Sequence, residues 1–160
     1  MKVKTILMAI VYAGGLWIFL PYLFILLNDF FGLPRFTYLP LRVLGVLIII
    51  CVLLTDLYLF NLFKFFGKGT PVPVEPTNKL IHKGPYKYVR NPMYVGHSLI
   101  FLGEFLLFGY PTILLYIVSA GMGFHLLVVK WEEPQLVRRL GEPYENYLNK
   151  VPRWLPKILI

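Results

Sequence analysis

Four long apolar runs constrain this 160-residue chain more than any other feature of its sequence. They cover about residues Ile6–Leu27, Leu39–Phe66, Pro92–Phe108 and Pro111–Lys130. A helix needs about 20 mainly apolar residues to cross the hydrocarbon layer of a bilayer. The third run is shorter than that and must begin at the membrane interface. The pattern therefore predicts an all-α, polytopic membrane protein with about four transmembrane helices.

The runs divide residues 1–160, which we interpret as a single integral membrane domain, into three parts. Residues 1–66 hold two spans, residues 67–91 form a cytoplasmic loop, and residues 92–160 hold two more spans and a tail. In the tail, Glu133–Pro134 and Glu142–Pro143 indicate helix starts, because proline is favoured in the first turn of a helix. We therefore expect short cytoplasmic helices at the C-terminus, lying along the membrane surface with their apolar side down.

The positive charges indicate how the spans are oriented. Every Lys and Arg except Arg35 and Arg42 lies in the N-terminus, in or next to the loop between spans two and three, or in or next to the tail; Lys64 and Lys130 are the two at span ends. Positive residues accumulate on the cytoplasmic side of a membrane, so both termini are predicted to be cytoplasmic. The membrane would be the cell membrane in a prokaryote and the endoplasmic reticulum in a eukaryote. Because the net charge of +8 flanks apolar runs, it favours contact with membrane lipids and argues against nucleic acid as a partner.

The stretch Gly84–Gly96, GPYKYVRNPMYVG, leads directly into the third span. Asn91 is a favoured N-cap and Pro92 a favoured first helical residue, so the helix should begin at Pro92. Arg90 then lies just outside a helix N-terminus, which carries unsatisfied N–H groups and a partial positive charge. This combination favours binding of a carboxylate or a phosphate. The alternative is that Arg90 only anchors a lipid headgroup and Asn91 only caps the helix.

A second candidate group lies at the end of the fourth span. Gly121, His125 and Glu132 recur at spacings that put them on one helix face, and Glu133 follows directly. Because both groups end at the cytoplasmic face, we expect one site with a basic pole at Arg90 and an acidic pole at Glu132 and Glu133. Such a site suits a zwitterionic cofactor. The alternative is ordinary helix packing along the glycines, with both acids solvated at the membrane surface.

Ionisable side chains inside the third span form a further group. Tyr94, His97 and Glu104 lie on one broad face of the predicted helix. Ionisable groups within a membrane usually face a cavity or a partner. Gly96 and Gly103, on a neighbouring face, would permit the close approach of another helix or of a ligand.

These motifs together resemble a known group of integral membrane methyltransferases, the isoprenylcysteine carboxyl methyltransferase family and its relative phosphatidylethanolamine N-methyltransferase. The shared pattern is Arg-His-Pro-x-Tyr-x-Gly, a hydrophobic interval and Glu-Glu, and the resemblance covers about residues 80–156. Asn91 replaces the His that the isoprenylcysteine enzymes usually have. The motifs Asn-Pro-Met-Tyr and Glu-Glu-Pro look more like those of the phospholipid enzyme. The ending, from Gly141–Glu142 to VPRW, looks more like the isoprenylcysteine branch.

The resemblance implies that S-adenosylmethionine is the methyl donor and S-adenosylhomocysteine the product. It implies that Arg90 and Tyr94 bind the amino-acid end of this cofactor, and that Gly96 leaves room for it. It also implies that Glu132 or Glu133 holds the ribose or the amine. The further candidate cofactor contacts are Tyr86, Asn91, Pro92, His97 and His125, of which the two histidines come from spacing alone.

The expected activity is methyl transfer to a lipid or lipidated small-molecule acceptor from the bilayer, similar to isoprenylcysteine carboxyl O-methylation. A carboxylate acceptor would need a cationic partner, Arg153 or Arg90, whereas an amine acceptor would need Glu104 or His97. The alternatives are phospholipid N-methylation and, from another class, a non-catalytic membrane scaffold that binds lipid. No metal is expected, and the single cysteine excludes an internal disulfide and a cysteine-based metal cluster. The sequence leaves the oligomeric state open.

Overall fold

The computed structural model describes residues 3–67 and 79–156, and within these ranges it is helical, with no strand. The α-helices are α1 (Val3–Gly14), α2 (Leu20–Phe30), α3 (Leu39–Leu62), α4 (Pro92–Phe108), α5 (Thr112–Leu127), α6 (Glu133–Leu140) and α7 (Glu142–Lys150). The π-helical segments are Gly15–Phe19, Phe63–Gly67 and Val128–Glu132, and Gly84–Lys87 forms a 3-10 turn. The predicted all-α fold class is confirmed.

Three helices in the described part of the chain are long and apolar enough to cross a membrane. They cover Leu7–Phe30, Leu39–Gly67 and Thr112–Leu140. Helix α4 is apolar but has only 17 residues, or ~26 Å at 1.5 Å per residue. The hydrocarbon core is ~30 Å thick, which agrees with the prediction that this span begins at the interface. The chain is therefore an integral membrane protein, while its orientation remains a prediction.

Two of the π-helical segments end two residues before a proline. Residues 15–19 precede Pro21, and residues 128–132 precede Pro134. A proline ring inside an α-helix clashes with the carbonyl group four residues earlier. The wider π-turn relieves that crowding, and its closing hydrogen bonds run from Leu20 N–H to Gly15 O and from Glu133 N–H to Val128 O. The helix therefore continues through each proline.

This continuity corrects one expectation about the tail. Helix α6 does begin at Glu133, but it follows α5 without a break, so Thr112–Leu140 is one helix of 29 residues. The fourth apolar run, predicted to cover about Pro111–Lys130, thus lies in a helix that continues beyond it to Leu140. Helix α7 does begin as a separate element at Glu142. Between the two, Gly141 has φ = +61°, a backbone conformation that glycine adopts without steric cost.

The predicted cytoplasmic loop is described only in part. Its prolines Pro71, Pro73 and Pro76 lie outside the described residues. Pro85 lies in the first turn of the 3-10 element Gly84–Lys87, the one helical element in the described residues 79–91.

The described helices leave many large apolar side chains exposed. Leu54 and Leu57 on α3 are 61% and 63% exposed, and Val118 and Met122 on α5 are 64% and 63% exposed. Exposed large apolar side chains in such number are unfavourable in water and mark contact with a membrane or a partner. Because they lie on the spanning helices, they form the surface that faces lipid.

The chain forms two compact units, and the first consists of residues 1–55 and 96–123. In this unit α3 and α4 approach closely at Gly45 and Gly103, since a Cβ at Gly103 would lie 2.9 Å from Gly45 O. Two hydroxyl groups tie α5 to the N-terminal helices: Thr112 Oγ1 donates to Phe24 O at 2.6 Å. Tyr116 Oη donates to a backbone carbonyl in the first π-helical segment, also at 2.6 Å. The predicted close helix approach at Gly103 is confirmed.

The second unit consists of residues 56–95 and 124–160, of which 56–67, 79–95 and 124–156 are described. Its apolar core is built from the end of α3 and the segment before α4. The core side chains are Leu59, Leu62, Ile81 and Tyr86, with Phe63 and Met93 packed against them. Two hydrogen bonds hold this core against α7 and the residues that follow it. Tyr147 Oη donates to Tyr86 O at 2.6 Å, and Arg90 N–H donates to Pro152 O at 2.9 Å.

Candidate functional site

An ionic cluster of three residues lies in the second unit. Arg153 donates two hydrogen bonds to Glu133, from Nε to Oε1 at 3.0 Å and from Nη2 to Oε2 at 2.8 Å. Arg90 Nη2 lies 3.4 Å from the same Oε1. The side chain of Glu133 is 12% exposed, that of Arg90 10% and that of Arg153 29%. The carboxylate is therefore held between two guanidinium groups, and Arg153 forms the more accessible edge of the cluster.

Glu132, the neighbouring acid, has a different partner. The hydroxyl group of Tyr94, in the first turn of α4, donates to Glu132 Oε1. The ring of Tyr94 also packs on Phe124 of α5, with 4.8 Å between the ring centroids. The start of α4 therefore meets the second half of the Thr112–Leu140 helix, as the sequence predicted.

Arg90 is held by its backbone more firmly than by its side chain. Its Nη1 donates to Leu148 O at 3.4 Å, a long hydrogen bond, while its Nε is buried and lacks an acceptor among the described residues. A buried N–H group without an acceptor is costly, by about 1–3 kcal/mol. Arg90 therefore retains the capacity to donate to a further acceptor.

Asn91 links α4 to the C-terminal segment. Its backbone carbonyl accepts from Val95 N–H at 3.2 Å, which begins the helix. Its side-chain Nδ2 donates to Arg153 O at 3.2 Å. Pro92 is the first residue of α4, as predicted. Asn91 thus helps to hold Arg153 in the ionic cluster.

Aromatic side chains lie on one side of the cluster. Trp154 Nε1 donates to His125 Nδ1 at 3.2 Å, and the centroids of these two rings are 6.2 Å apart. Tyr94 packs edge-to-face on Trp154, with 6.4 Å between the centroids. The site thus combines flat apolar surfaces with charged groups.

Burial and neighbouring charges change the pKa values of several side chains around the cluster. The hydrogen bonds that Arg153 donates to Glu133 stabilise the charged guanidinium and raise the pKa of Arg153. Burial, reinforced by the charge of Glu133, raises the pKa of Tyr144 to about 12. Burial likewise raises the pKa of Tyr147 well above its usual range. These phenol groups are therefore neutral at physiological pH.

Most of the predicted site residues come together in this unit. They are Arg90, Asn91, Pro92, Tyr94, His125, Glu132, Glu133 and Arg153. The predicted basic and acidic poles do not face each other across a space, however, because Arg90 and Glu133 form an ion pair. Opposite charges in a poorly hydrated environment attract strongly, which accounts for their direct contact.

The remaining predicted residues lie elsewhere. The ring of Tyr86 belongs to the apolar core, 5.7 Å from that of Phe63, and burial raises its pKa above the usual range. Gly96, His97 and Glu104 belong to the first unit, where all three are buried. There, His97 packs against Trp17 and Tyr12, with ring centroids 5.4 and 6.0 Å away. The roles proposed for these four residues remain predictions.

The glycines near the end of α5 show no packing constraint within the described part of the chain. A Cβ added at Gly121 or at Gly123 would meet nothing within 4 Å. Within the described residues, no helix packs against these glycines, which does not support the alternative of ordinary helix packing there.

Sequence reasoning missed three members of the site. Trp154 and Phe124 supply aromatic surface beside Tyr94, and the Leu148 carbonyl accepts from Arg90. The only signal for Trp154 was its place in the VPRW ending. A contact made by a backbone carbonyl, as at Leu148, cannot be predicted from the type of residue, because every residue has such a carbonyl.

Comparison with known proteins matches this part of the chain to one family. The family model described as phospholipid methyltransferase matches residues 41–143. Methanethiol S-methyltransferase from Crocosphaera subtropica is 32% identical over 112 residues, which are 67% of this chain and 43% of that protein. Protein-S-isoprenylcysteine O-methyltransferase from Schizosaccharomyces pombe is 38% identical over 80 residues, 49% of this chain and 34% of that protein. The chain thus spans less than half the length of either relative.

Proposed function

This chain belongs to the phospholipid methyltransferase family, and on that premise we propose that it transfers a methyl group from S-adenosylmethionine to a lipid-like acceptor. The observation that carries the proposal is the ionic cluster of Arg90, Glu133 and Arg153 beside the pair Tyr94–Glu132. Both acids and Tyr94 lie in the part of the chain that the family model matches. A charged group buried at the end of a spanning helix is costly, so the cluster calls for a functional reason.

The side chains of the cluster fit the chemistry of the cofactor. The amino-acid end of S-adenosylmethionine carries a carboxylate that needs donors and an ammonium group that needs acceptors. Arg90 has a buried donor without an acceptor, and Glu132 and Glu133 present carboxylate oxygens. We assign the carboxylate to Arg90 and the ammonium group or ribose hydroxyls to the acids. Charge-assisted hydrogen bonds of this kind are about twice as strong as neutral ones.

The aromatic side chains suit the flat adenine ring. Tyr94, Phe124 and Trp154 provide π surfaces next to the charged groups, and His125 is held in place by its hydrogen bond from Trp154. Aromatic pairs gain about 0.5–1.5 kcal/mol beyond the burial of their area. We assign the adenine ring to this side of the site.

The bound cofactor supplies an activated methyl group on a sulfonium sulfur. The chain's own residues then have to bind and orient the two reactants and to exclude water. Arg90 and the acids fix one end of the donor, and the aromatic side chains exclude water from the other. A lipid-like acceptor can reach the site through the membrane, because the helices that build it face lipid.

Among acceptors, the geometry favours an anionic group, such as the carboxylate of an isoprenylcysteine-like molecule. Arg153 is the most exposed side chain of the cluster, whereas Glu133 is 12% exposed. The accessible edge of the site is therefore cationic. An amine acceptor would be better served by an exposed acid at that edge.

Binding of S-adenosylhomocysteine, measured by calorimetry on the purified protein, tests cofactor recognition. We expect wild type to bind, Arg90→Gln and Glu133→Gln to lose at least tenfold in affinity, and Lys64→Gln, an exposed basic residue on the second span, to bind as wild type. An absence of binding to wild type would favour the lipid-binding scaffold.

Transfer of labelled methyl groups to extracted lipids, followed by treatment with base, identifies the acceptor. A base-labile product indicates a carboxyl ester and supports the proposal. A base-stable product would indicate an amine, as in phospholipid N-methylation, or a thiol, as in the named activity of the cyanobacterial relative. Either base-stable product would overturn the assignment of a carboxylate acceptor but leave methyl transfer intact.

A further inference from the structure

A shallow cavity of about 380 Å³ lies in the second unit, apart from the ionic cluster. It is formed by the segment that leads through the 3-10 turn, together with α7 and the residue after it. The lining residues are Leu80, His82, Lys87, Pro143, Asn146, Tyr147, Lys150 and Val151. Its volume falls within the range of about 300–1,000 Å³ that is usual for sites of small ligands.

Most of the lining surface is apolar, and the lining residues include the basic Lys87, Lys150 and His82 and no acidic residue. The two lysines each carry an ammonium group with three donors, and His82 has a ring nitrogen. Asn146 carries a side-chain amide that donates to Glu142 Oε1 at 3.4 Å, a hydrogen bond long enough to be exchanged for a better acceptor. The polar groups of this cavity therefore suit a ligand that is anionic and rich in acceptors, which describes a phosphate group.

The segment that lines one side of the cavity also contacts the last described turn of a membrane-spanning helix. Lys83, four residues before Lys87, places its Nζ 4.1 Å from the ring centroid of Phe66. Phe66 is the penultimate residue of the spanning helix Leu39–Gly67. Lipid headgroups lie at the ends of spanning helices, and positive side chains there attract anionic lipids. Position and charge thus point to a phosphate that is carried by a lipid.

The apolar part of the lining completes the match. Leu80, Pro143 and Val151 border the same cavity as the lysines. A free phosphate ion gains nothing from such a surface, whereas the glycerol and first methylene groups of a phospholipid gain about 25 cal/mol per Å² of apolar area buried.

We infer that this cavity binds the headgroup phosphate of an anionic phospholipid, as an accessory lipid and not as the methyl acceptor. The bound lipid joins the 3-10 segment to α7 through Lys87 and Lys150. Helix α7 also carries the Leu148 carbonyl that accepts from Arg90. The lipid therefore braces the helix that supports the ionic cluster. This inference stands whether or not the chain transfers methyl groups.

Native mass spectrometry of the detergent-purified full chain tests the inference. The protein is titrated with dioleoyl phosphatidylglycerol or with dioleoyl phosphatidylcholine, and the retained lipid adducts are counted. Each lysine near a membrane surface contributes about 1 kcal/mol of attraction to anionic lipid, so Lys87→Gln/Lys150→Gln should lose phosphatidylglycerol affinity by roughly tenfold or more. The matched control Arg138→Gln/Arg139→Gln removes the same charge from exposed positions on α6 and should keep the preference.

Four results would overturn the inference. One is wild type that binds both lipids equally, and another is a lysine double variant that keeps the preference for phosphatidylglycerol. The third is displacement of phosphatidylglycerol by millimolar inorganic phosphate, which would make a soluble phosphate the natural ligand. If the lysine variant does not fold, the salt dependence of wild type provides the test. Binding of phosphatidylglycerol to an ionic site must weaken strongly between 50 and 500 mM salt, because salt screens the attraction between charges. Affinity that is independent of salt would also refute an ionic headgroup site.

Discussion

Replacing Glu133 by Gln should destabilise the protein more than the same change at any other acid of the site. The substitution keeps the size of the side chain but removes the charge that two guanidinium groups share. Breaking a buried ion pair by removing one partner costs about 3–5 kcal/mol, because the other charge stays buried without compensation.

The structure places this cost near the lower end of that range. Arg153 is 29% exposed, so water recovers part of its solvation, and the distance of 3.4 Å between Arg90 and Glu133 indicates a weaker second contact. We therefore expect a loss of about 3 kcal/mol. A chain of this size loses about 2–4 °C in Tm per kcal/mol, which predicts a decrease in Tm of about 6–12 °C.

Thermal unfolding in detergent, followed by tryptophan fluorescence, measures this loss. The matched control is Glu132→Gln, because the amide oxygen of Gln can still accept the hydrogen bond from Tyr94 and no cation loses its partner. We expect the control to change Tm by less than about 3 °C. A double-mutant cycle of Glu133→Gln with Arg153→Gln should give a coupling energy of about 1–3 kcal/mol.

Melting of both Glu133→Gln and Glu132→Gln within about 2 °C of wild type would contradict a stabilising ion pair at Glu133. A double-mutant cycle without coupling would do so too, since the stability lost in Glu133→Gln would then come from something other than the pair with Arg153. Binding of S-adenosylhomocysteine by the same variants separates the two roles of the cluster. A variant that keeps its Tm but loses binding has a ligand-binding defect alone.

Two further predictions concern packing and pH. Gly103→Ala should lower Tm by several degrees, because its methyl group would come within 2.7 Å of a side-chain carbon on α3 and overpacking costs about 1–3 kcal/mol. The control Gly121→Ala, with open space around it, should leave Tm unchanged. Equal Tm values for the two variants would contradict the close contact between α3 and α4. Because burial raises the pKa of Tyr144 to about 12 and raises those of Tyr86 and Tyr147 above the usual 10, the folded state favours the neutral phenols. Stability should be full below pH 10 and decrease as the pH rises toward 12, and a Tm that is constant over this interval would refute the burial of these hydroxyl groups.

The sequence predicted the helices best where local chemistry decides them. The bounds of α4 match the prediction, because Pro92 can begin a helix but cannot lie inside one without cost. The second span, predicted to end at Phe66, ends at Gly67. Helix α6 begins at Glu133 as predicted, but it continues the fourth span, because a π-turn over Val128–Glu132 accommodates Pro134 without a break.

The partners of the charged residues could not be read from spacing. Helical periodicity shows which residues share a face, and the predicted topology brought the start of α4 to the acids near the end of the fourth span. Neither says which of two adjacent acids receives a guanidinium. Glu133 pairs with Arg153, which lies 20 residues away beyond two helices. Such pairing depends on the turn at Gly141, whose positive φ sets the direction of α7.

The pairing within the cluster has a consequence for how a charged ligand would enter. In the chain as described, Glu133 already accepts from Arg153 through both oxygens, and Glu132 accepts from Tyr94. A zwitterion that binds here therefore has to replace some of these hydrogen bonds with its own, because both acids already have partners. Such an exchange keeps each buried charge compensated before and after binding, which avoids the several kcal/mol that an isolated buried ion costs. The Arg90 side chain, with its long contacts and its buried Nε, is the group that gains most from the exchange. For this reason Arg90→Gln should weaken ligand binding with little change in Tm, whereas Glu133→Gln should lower both the affinity and Tm.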